Sequence, residues 1–467
     1  MVVLGMGCSI LVALGSAAAA VPAPGPDAET EGRWRIGVLT VGPGEALFTR
    51  FGHIGLVVAE RQRQRSLLFN YGTFDFDDPD LRWQYLRGNL IYWLSVAPLP
   101  AVVRAYRRGD RRVVVRWLAL DREQAAAVVA LLRENAKPQN RRYAYRHYLD
   151  NCSTRVRDLL DGVLDGVLRR HARPLATGRT YRWWTRRALA GLWSTAGAID
   201  YLLAGVVDRP LRRWQEYFLP APLSRDLELL RAPSAARPLV AERVVVAARR
   251  GPPVGGRVPL AEWLPLALAG GLLLLGLGLP LLIGPRAAGR RLLGLGLLVW
   301  GLAAGAGGLL LALMWALTEH VDTHANENLL VTPPVLLWLV VPGVRLLLLG
   351  RLGRCARWVG ATLVLGLALI AVDVGLKLGP AIQDNWFFIG LAAACDAAAL
   401  GGLWRVGLVR PPPAANGGGG RRDQEVAGPG GDDDGGPGRP LGAVTQGEPA
   451  HREQGAQDRG HQHHAAE

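Results

Sequence analysis

The sequence predicts an α+β domain followed by an all-α transmembrane domain. Three observations lead to this prediction. Residues 27–258 are mixed in composition, rich in Arg and Trp, and contain strand-like runs that come before helical patterns. Strands followed by helices, rather than alternating with them, are typical of α+β folds. Residues 259–410 are instead dominated by Leu, Gly, Ala and Val, in apolar runs long enough to cross a bilayer.

The two ends of the chain differ from both of these regions. Residues 1–20, MVVLGMGCSILVALGSAAAA, have an apolar centre and end in small residues, which predicts a signal peptide or an uncleaved anchor. Residues 411–467 consist mainly of Gly, Pro, Asp, Gln and His. Because this composition cannot bury a core, we expect a disordered tail.

The apolar region contains five predicted membrane spans. They are 260–283, 292–316, 331–349, 358–376 and 386–404. Arginines follow the first, third and fifth spans, whereas the two alternate loops are poor in basic residues. By the positive-inside rule, the C-terminus is cytoplasmic and residues 27–258 lie outside the cytoplasm. This orientation agrees with the export signal and predicts a bacterial inner-membrane protein with an extracytoplasmic domain.

The net charge fits a membrane protein. The chain carries 54 Lys and Arg against 39 Asp and Glu, a formal charge of +15. Such a charge suits nucleic acid or an anionic membrane surface, and the long apolar segments favour the membrane. We therefore expect no nucleic-acid partner. The terminal HQHH lies in a low-complexity stretch and is interpreted as solvated, so neither a metal nor a cofactor is predicted.

The exported region contains five strand-like runs, at 34–41, 53–60, 65–72, 90–97 and 111–120. Asp121 is predicted to cap a helix that runs to about Asn135, and a second helix begins near Asn151. Further helices are expected over Tyr181–Leu192 and Val207–Tyr217.

The stretch YLDNCSTRVRD places Cys152 in the first turn of the second predicted helix. A helix N-terminus carries unpaired N–H groups and partial positive charge, which lower a thiol pKa and can stabilise an oxyanion. Cys152 also shares a helical stripe with Val156, so a small buried hydrophobe is the alternative interpretation. In the predicted topology it is the only cysteine of the exported domain, which favours a functional thiol.

A cysteine nucleophile needs a base, and residues 27–258 offer three histidines. His171 lies in the basic stretch RRHARP and is interpreted as solvated. His147 is only five residues from Cys152, which is geometrically awkward. His53 begins a strand after a glycine, and papain-like sites pair a strand histidine with a helix cysteine. A purely structural histidine remains an open alternative at this point.

Several segments together resemble the bacterial lipoprotein N-acyltransferase B (Lnb) family. They are FGHIGLVV, FNYGTFDFDDP, YLDNCSTRVRDLLDG, RTYRWWT and the stretch 200–223. In the membrane half, HVDTHANENLL at 320–330 is similar to the family loop H-x-x-T-x-x-N-x-N-L-L. The resemblance covers roughly residues 33–405. It implies a permuted papain-like thiol fold, related to NlpC-like peptidases and lecithin:retinol acyltransferase.

The resemblance also implies an activity. An acyl chain would move from the glycerol of a diacylglyceryl lipoprotein to its N-terminal amine, through a thioester on Cys152 with His53 as base. Lipoproteins and membrane lipid would be the partners. We expect Asn151 and the N–H groups of the first helical turn to hold the oxyanion, and Arg155 to tune the thiolate, to bind carboxylates or to form a structural ion pair. The residues expected to bind substrate are Asn151, Tyr71, Arg155, His320, Asn326 and Asn328.

Two other functions remain open from the sequence. One is an exported, membrane-bound thiol hydrolase, such as a cell-wall peptidase or a lipid hydrolase, on the same fold. The other is a non-catalytic membrane scaffold. Five spans disfavour a soluble polymer as substrate, and the presence of both His53 and Cys152 argues against the scaffold.

Overall fold

A computed structural model describes residues 33–75, 79–232, 237–256, 264–379 and 383–408. The predicted signal peptide (1–20) and tail (411–467) lie outside these residues, as does the predicted domain boundary near 258. The described residues all belong to one of the chain's two units, Met1–Pro411.

The N-terminal region is built on a seven-stranded sheet in which all neighbouring strands are antiparallel. The strand order is β6-β4-β3-β2-β1-β5-β7. The strands are β1 (Trp34–Val41), β2 (His53–Glu60), β3 (Arg65–Thr73), β4 (Ile91–Pro98), β5 (Val113–Leu118), β6 (Arg142–Ala144) and β7 (Val240–Ala247). All five predicted strands are confirmed. The two edge strands, β6 and β7, were not predicted.

Nine helices accompany this sheet within the described residues. They are α1 (Leu81–Arg87), α2 (Leu99–Arg108), α3 (Arg122–Asn135), α4 (Cys152–Val163), α5 (Val167–Ala172), α6 (Tyr181–Leu189), α7 (Trp193–Leu202), α8 (Arg213–Glu216) and α9 (Pro220–Leu229). Residues of α3, α4 and α9 share a core with one face of the sheet, and residues of α2 share a core with the other. This sheet, with helices packed on both of its faces, confirms the predicted mixture of α and β structure.

The predicted helices are confirmed in two cases and altered in two. Asp121 caps α3 in a reciprocal capping box with Gln124, as predicted. The expected helix Tyr181–Leu192 is shorter, because the chain turns at Gly191 with φ of +89° before α7 begins. The expected helix Val207–Tyr217 is wrong. Pro210 interrupts it, leaving only a short 3-10 turn and the four-residue α8.

The position of α4 is fixed by a cap at its N-terminus and by buried side chains along one face. Asn151 Oδ1 accepts the backbone N–H groups of Ser153 (2.8 Å) and Thr154 (3.0 Å), which starts the helix at Cys152. Val156 and Leu160 are fully buried in the core that α4 shares with β2. Each such side chain stabilises the fold by roughly 1.5–3 kcal/mol. The first turn of α4 is thereby held against the start of β2.

The region after the sheet domain is helical and apolar. Its helices are α10 (Leu264–Ile283), α11 (Ala287–Trp300), α12 (Ala306–Leu317), α13 (Asn328–Val331), α14 (Val340–Leu349), α15 (Cys355–Leu376) and α16 (Trp386–Arg405). A π-helical turn, Gly301–Gly305, joins α11 to α12. Five helical segments of the described residues are long and apolar enough to cross a membrane, which confirms the five predicted spans. The predicted orientation of these spans stays a prediction.

Candidate active site

Cys152 is the first residue of α4 and packs against the core of the sheet domain. Burial raises the pKa of its thiol to about 11. The backbone N–H groups of Ile54, Ser153 and Cys152 and the charge of Arg111 act in the opposite direction. The predicted low thiol pKa is therefore wrong, because the loss of solvation outweighs the helix N-terminus.

His53 is the first residue of β2, and its imidazole is held by Asn70 of β3. The distance between His53 Nε2 and Asn70 Oδ1 is 2.7 Å. Asn70 Oδ1 also accepts the backbone N–H of Gly72 at 2.9 Å. Because a backbone N–H can only donate, the atom shared by these two bonds is the amide oxygen, and Nε2 must donate to it. Nδ1 is consequently the unprotonated nitrogen of His53.

The backbone at Gly72 makes room for the His53 ring. A Cβ atom at Gly72 would lie 2.5 Å from His53 Cε1 and 3.2 Å from Nδ1. The pairing of β3 with β4 shifts register between Asn70 and Thr73, an irregularity of the kind that re-aims side chains beside functional sites. Glycine is thus required at this position by the ring itself.

Both groups of the pair are neutral in the folded protein. Burial, aided by the charge of Arg111, lowers the pKa of His53 to about 4, although the bond to Asn70 acts to raise it. At neutral pH a neutral imidazole therefore accompanies a protonated thiol. This arrangement suits a general base that takes the proton during attack, rather than a preformed thiolate–imidazolium pair.

The structure brings Cys152 and His53 to the start of β2. The backbone N–H of Ile54, the residue after His53, reaches the Cys152 thiol. The ring centroids of Tyr106 and His53 lie 6.3 Å apart, and ionisation of Cys152 would raise the pKa of the same tyrosine. Cys152 and His53, the predicted nucleophile and base, thus have the start of β2 and Tyr106 as common neighbours.

An aromatic stack lies near the thiol. Tyr92 stacks on Phe74 with ring centroids 4.8 Å apart and on Tyr145 with centroids 4.2 Å apart. Burial raises the pKa of Tyr92 and of Tyr145, and ionisation of Cys152 would raise both further. The tyrosines are therefore uncharged, and the surroundings of the thiol are largely apolar.

Three of the predicted substrate-binding residues have structural partners. Asn151 uses its oxygen as the helix cap and donates from Nδ2 to the carbonyls of His147 (2.7 Å) and Phe218 (2.9 Å), so it has no group left for the predicted oxyanion. Tyr71 is fully buried, and its hydroxyl accepts from Asn135 at 2.9 Å.

Arg155 forms the structural ion pair that sequence analysis left open. Its Nε and Nη2 each lie 2.6 Å from a carboxylate oxygen of Asp150, and its guanidinium lies over the ring of Tyr143. A bidentate pair of this kind occupies the donors that would otherwise be free for a substrate carboxylate.

The comparison with known families identifies this part of the chain. A family model described as the Lnb N-terminal periplasmic domain matches residues 34–187. Residues 34–187 are an Lnb N-terminal domain. No curated protein and no solved structure matches the chain, so the papain-like layout stays a prediction. The chain therefore carries an Lnb N-terminal domain followed by five candidate membrane spans, and a periplasmic domain with such spans points to an inner-membrane protein.

Asn326 and Asn328, in the apolar helical region, bind α7, the helix that follows the Lnb domain in the chain. Asn326 Nδ2 donates to the carbonyl of Leu202 at 2.9 Å, and Asn328 Nδ2 donates to that of Tyr201 at 2.8 Å. Their side-chain oxygens accept from Gln383 and Asn385. Both asparagines are buried, and these bonds favour a role in joining α7 to the spans over the predicted contact with substrate.

His320 connects the membrane region to α1 of the Lnb domain. Its Nε2 lies 2.8 Å from the carbonyl oxygen of Tyr85, and the N–H of the preceding Glu319 donates to the carbonyl of Arg87 at 2.7 Å. Gly88, at φ of +77°, lets the backbones meet, since a Cβ there would lie 2.7 Å from His320 N. Because the second span ends at Leu317, α1 lies near one end of that span.

Asn70 was not among the predicted site residues, although it lies in the motif FNYGTFDFDDP. Extending the β2–β3 pairing from Leu56 and Phe69 places His53 opposite Gly72, and Asn70 is then the diagonal neighbour on the same face. Tyr71 points to the other face and enters the core. Counting the register of this predicted hairpin would have favoured Asn70 over Tyr71.

Proposed function

We propose that this protein is a membrane acyltransferase. Cys152 would take an acyl chain from the glycerol of a diacylglyceryl lipoprotein and transfer it to the lipoprotein's N-terminal amine. The single observation that carries the proposal is the hydrogen bond from His53 to Asn70 at the start of β2, where the next residue, Ile54, directs its backbone N–H to the Cys152 thiol inside an Lnb domain.

The first half of the reaction forms a thioester. His53 Nδ1 takes the thiol proton while the sulfur of Cys152 bonds to the ester carbonyl carbon, and the carbonyl electron pair moves onto oxygen. When the carbonyl re-forms, the bond from carbon to the glycerol oxygen breaks. His53 returns its proton to that leaving oxygen. The bond from Nε2 to Asn70 keeps the imidazole in the required tautomer throughout.

The second half transfers the chain to nitrogen. The lipoprotein amine attacks the thioester carbonyl, His53 takes the amine proton, and the bond from carbon to sulfur breaks. The proton then returns from His53 to the Cys152 thiolate. The products are an N-acylated lyso-lipoprotein and the original neutral pair, so the cycle needs no co-reactant.

The surroundings of the site support a lipid substrate. The stack of Phe74, Tyr92 and Tyr145 is apolar, which suits an acyl chain better than a hydrated polymer. Next along the chain from β3, α1 exposes Trp83 and Leu86 while bonded to the loop after the second span. Exposed Trp and Leu at the end of a span are typical of the membrane interface, where lipoprotein glycerol esters lie.

The proposal can be tested in a host that lacks its own lipoprotein N-acylation. The full chain is expressed there, and lipoprotein N-termini are determined by mass spectrometry. Wild type and Cys355→Ser, which changes another free cysteine, are expected to give N-acylated termini, whereas Cys152→Ser gives free amines. Free amines with wild type, or N-acylation by Cys152→Ser, would refute the proposal. A thiol hydrolase would instead release free fatty acid and leave the amines unmodified.

A further inference from the structure

We propose that Arg111 is a further catalytic residue, whose guanidinium binds the oxyanion that forms on the substrate carbonyl when Cys152 attacks it. This inference rests on the proposed acyl transfer. It assigns to Arg111 the task that sequence analysis expected of Asn151, whose side chain is committed to capping α4.

The side chain of Arg111 is fixed in place at several points. Its Nε donates to the carbonyl of Gly42 at 2.9 Å, and its guanidinium carbon lies 5.2 Å from the centroid of the Tyr106 ring. A Cβ on Gly44 would lie 3.2 Å from Arg111 Cδ, so a glycine leaves room for the stem. Tyr106 in turn lies beside His53. These contacts hold the Arg111 guanidinium next to Tyr106, and thus close to His53.

Arg111 is buried without a full set of partners. The residue is 8% exposed, and its Nη2 is buried with no hydrogen-bond partner in the part of the chain that the structure describes. Among the residues that the structure describes, no carboxylate forms an ion pair with it. An unpaired buried charge is costly, since guanidinium cannot shed its proton at any ordinary pH. Ionisable groups that burial perturbs strongly are concentrated at functional sites.

A second buried arginine, Arg116 of β5, shows that this arrangement is not general. Arg116 of β5 is also 8% exposed, yet its Nε pairs with Glu228 and its Nη1 donates to Thr40 at 2.8 Å. The two arginines are equally buried but differ in their partners. Glu228 neutralises the charge of Arg116, whereas no carboxylate of the described residues neutralises that of Arg111.

The charge of Arg111 acts on both members of the catalytic pair. It acts to lower the pKa of His53 and of the Cys152 thiol. The groups that act on Arg111 in return are Tyr106 and Cys152, and neither is a carboxylate. The missing negative charge is thus one that appears during the reaction. A buried N–H donor kept free for such a charge is the arrangement that stabilises tetrahedral intermediates.

The experiment compares two reactions of Cys152 in the full-length protein in detergent. Acylation by p-nitrophenyl butyrate passes through an oxyanion, and alkylation by iodoacetamide does not. Arg111→Met is expected to slow acylation by about 10²–10³-fold, the usual cost of one oxyanion donor. Alkylation, which depends on the thiolate alone, is expected to slow by less than about tenfold. Thioester formation is followed by the mass of the peptide that contains Cys152.

Two further variants keep the test decisive. Arg116→Met removes an equally buried but paired arginine and is expected to leave the ratio of acylation to alkylation unchanged. Arg111→Lys keeps the positive charge but lacks the planar, forked donors of the guanidinium, and it is expected to recover part of the acylation rate. If Arg111→Met slows both reactions equally, or neither, the inference is overturned. Failure of wild type to acylate Cys152 would instead remove the proposed function itself.

Discussion

His53 and Asn70 are joined by a 2.7 Å hydrogen bond that decides which imidazole nitrogen can accept a proton. The same Asn70 oxygen accepts the N–H of Gly72, so the amide cannot present its nitrogen to the ring. Nε2 is therefore the donor and Nδ1 the base. The proposed mechanism therefore depends on the residues that orient the His53 ring, Asn70 and Gly72.

Substitution of Asn70 should separate the orientation of the base from its pKa. Asn70→Leu removes the acceptor for Nε2, and we expect Cys152 acylation to slow by at least about tenfold, part of the roughly 10²–10⁴-fold that a general base supplies. Asn70→Asp keeps the acceptor but adds a negative charge, which raises the His53 pKa from about 4. The acidic limb of the pH–rate profile should then move to higher pH. An unmoved limb in Asn70→Asp would mean that His53 is not the titrating base.

Gly72→Ala should displace the His53 ring. The new Cβ would lie 2.5 Å from Cε1, so the imidazole must move, and we expect Cys152 acylation to slow by about a hundredfold. Gly162→Ala in α4 is the matched control, because nothing lies within 4 Å of its added Cβ. The rate of acylation by p-nitrophenyl butyrate measures both. Equal rates in the two variants would argue against a role for the ring position.

His147→Phe should make the fold less sensitive to acid without loss of activity. Burial lowers the pKa of His147 from 6.5 to about 4, and its buried Nε2 has no hydrogen-bond partner among the described residues. Since the unfolded chain takes up the proton first, His147 costs stability as pH falls from about 6.5 towards 4, on the order of 3 kcal/mol in full. Thermal unfolding in detergent at pH 7.5 and 4.5 should show a smaller drop in Tm for His147→Phe than for wild type. His171→Gln, at a more exposed histidine, serves as the control, and a drop in His147→Phe as large as that of wild type would contradict the expectation.

The exposed side chains of α1 should matter only for a substrate in a membrane. Trp83 and Leu86 are exposed on a helix bonded to the loop after the second span, so Trp83→Ser with Leu86→Ser should weaken contact with lipid. We expect at least about a fivefold slower reaction with a diacylglyceryl lipopeptide in nanodiscs, since each exposed apolar anchor contributes about 1 kcal/mol or more at a lipid surface. Alkylation by iodoacetamide should not change.

Leu131→Ser, at an exposed leucine of α3, is the control for that pair. It should leave both reactions at the wild-type rate. If the α1 variant keeps its rate with the lipopeptide, α1 has no part in presenting the substrate.

Local patterns were enough to predict much of the fold. β1 and β2 have the predicted bounds, Asp121 caps α3, Asn151 caps α4, and the five spans are found where apolar runs predicted them. These features depend on alternation, capping and length, which neighbouring residues determine. The resemblance to the Lnb family, confirmed for residues 34–187, rests on similarly local motifs.

The features that escaped prediction depend on contacts between distant parts of the chain. Desolvation of Cys152 comes from the packing of α4 on the sheet, and no pattern in YLDNCSTRVRD measures it. Arg111 belongs to the pair RR at 111–112, which is no different in sequence from solvated arginines elsewhere. Asn326 and Asn328 were expected to meet substrate, because the sequence does not reveal that Tyr201 and Leu202 occupy their amide groups.

The most direct measurement is the mass of the Cys152 peptide after the full-length protein has reacted with a diacylglyceryl lipopeptide in nanodiscs. Rapid acid quenching followed by proteolysis should show one acyl chain on Cys152 in wild type, and very little in His53→Ala. The lipopeptide should then appear with an acylated amine and one free glycerol hydroxyl. An acylated amine without any acyl group on Cys152, or an acyl group carried by another residue, would contradict the proposed thioester mechanism.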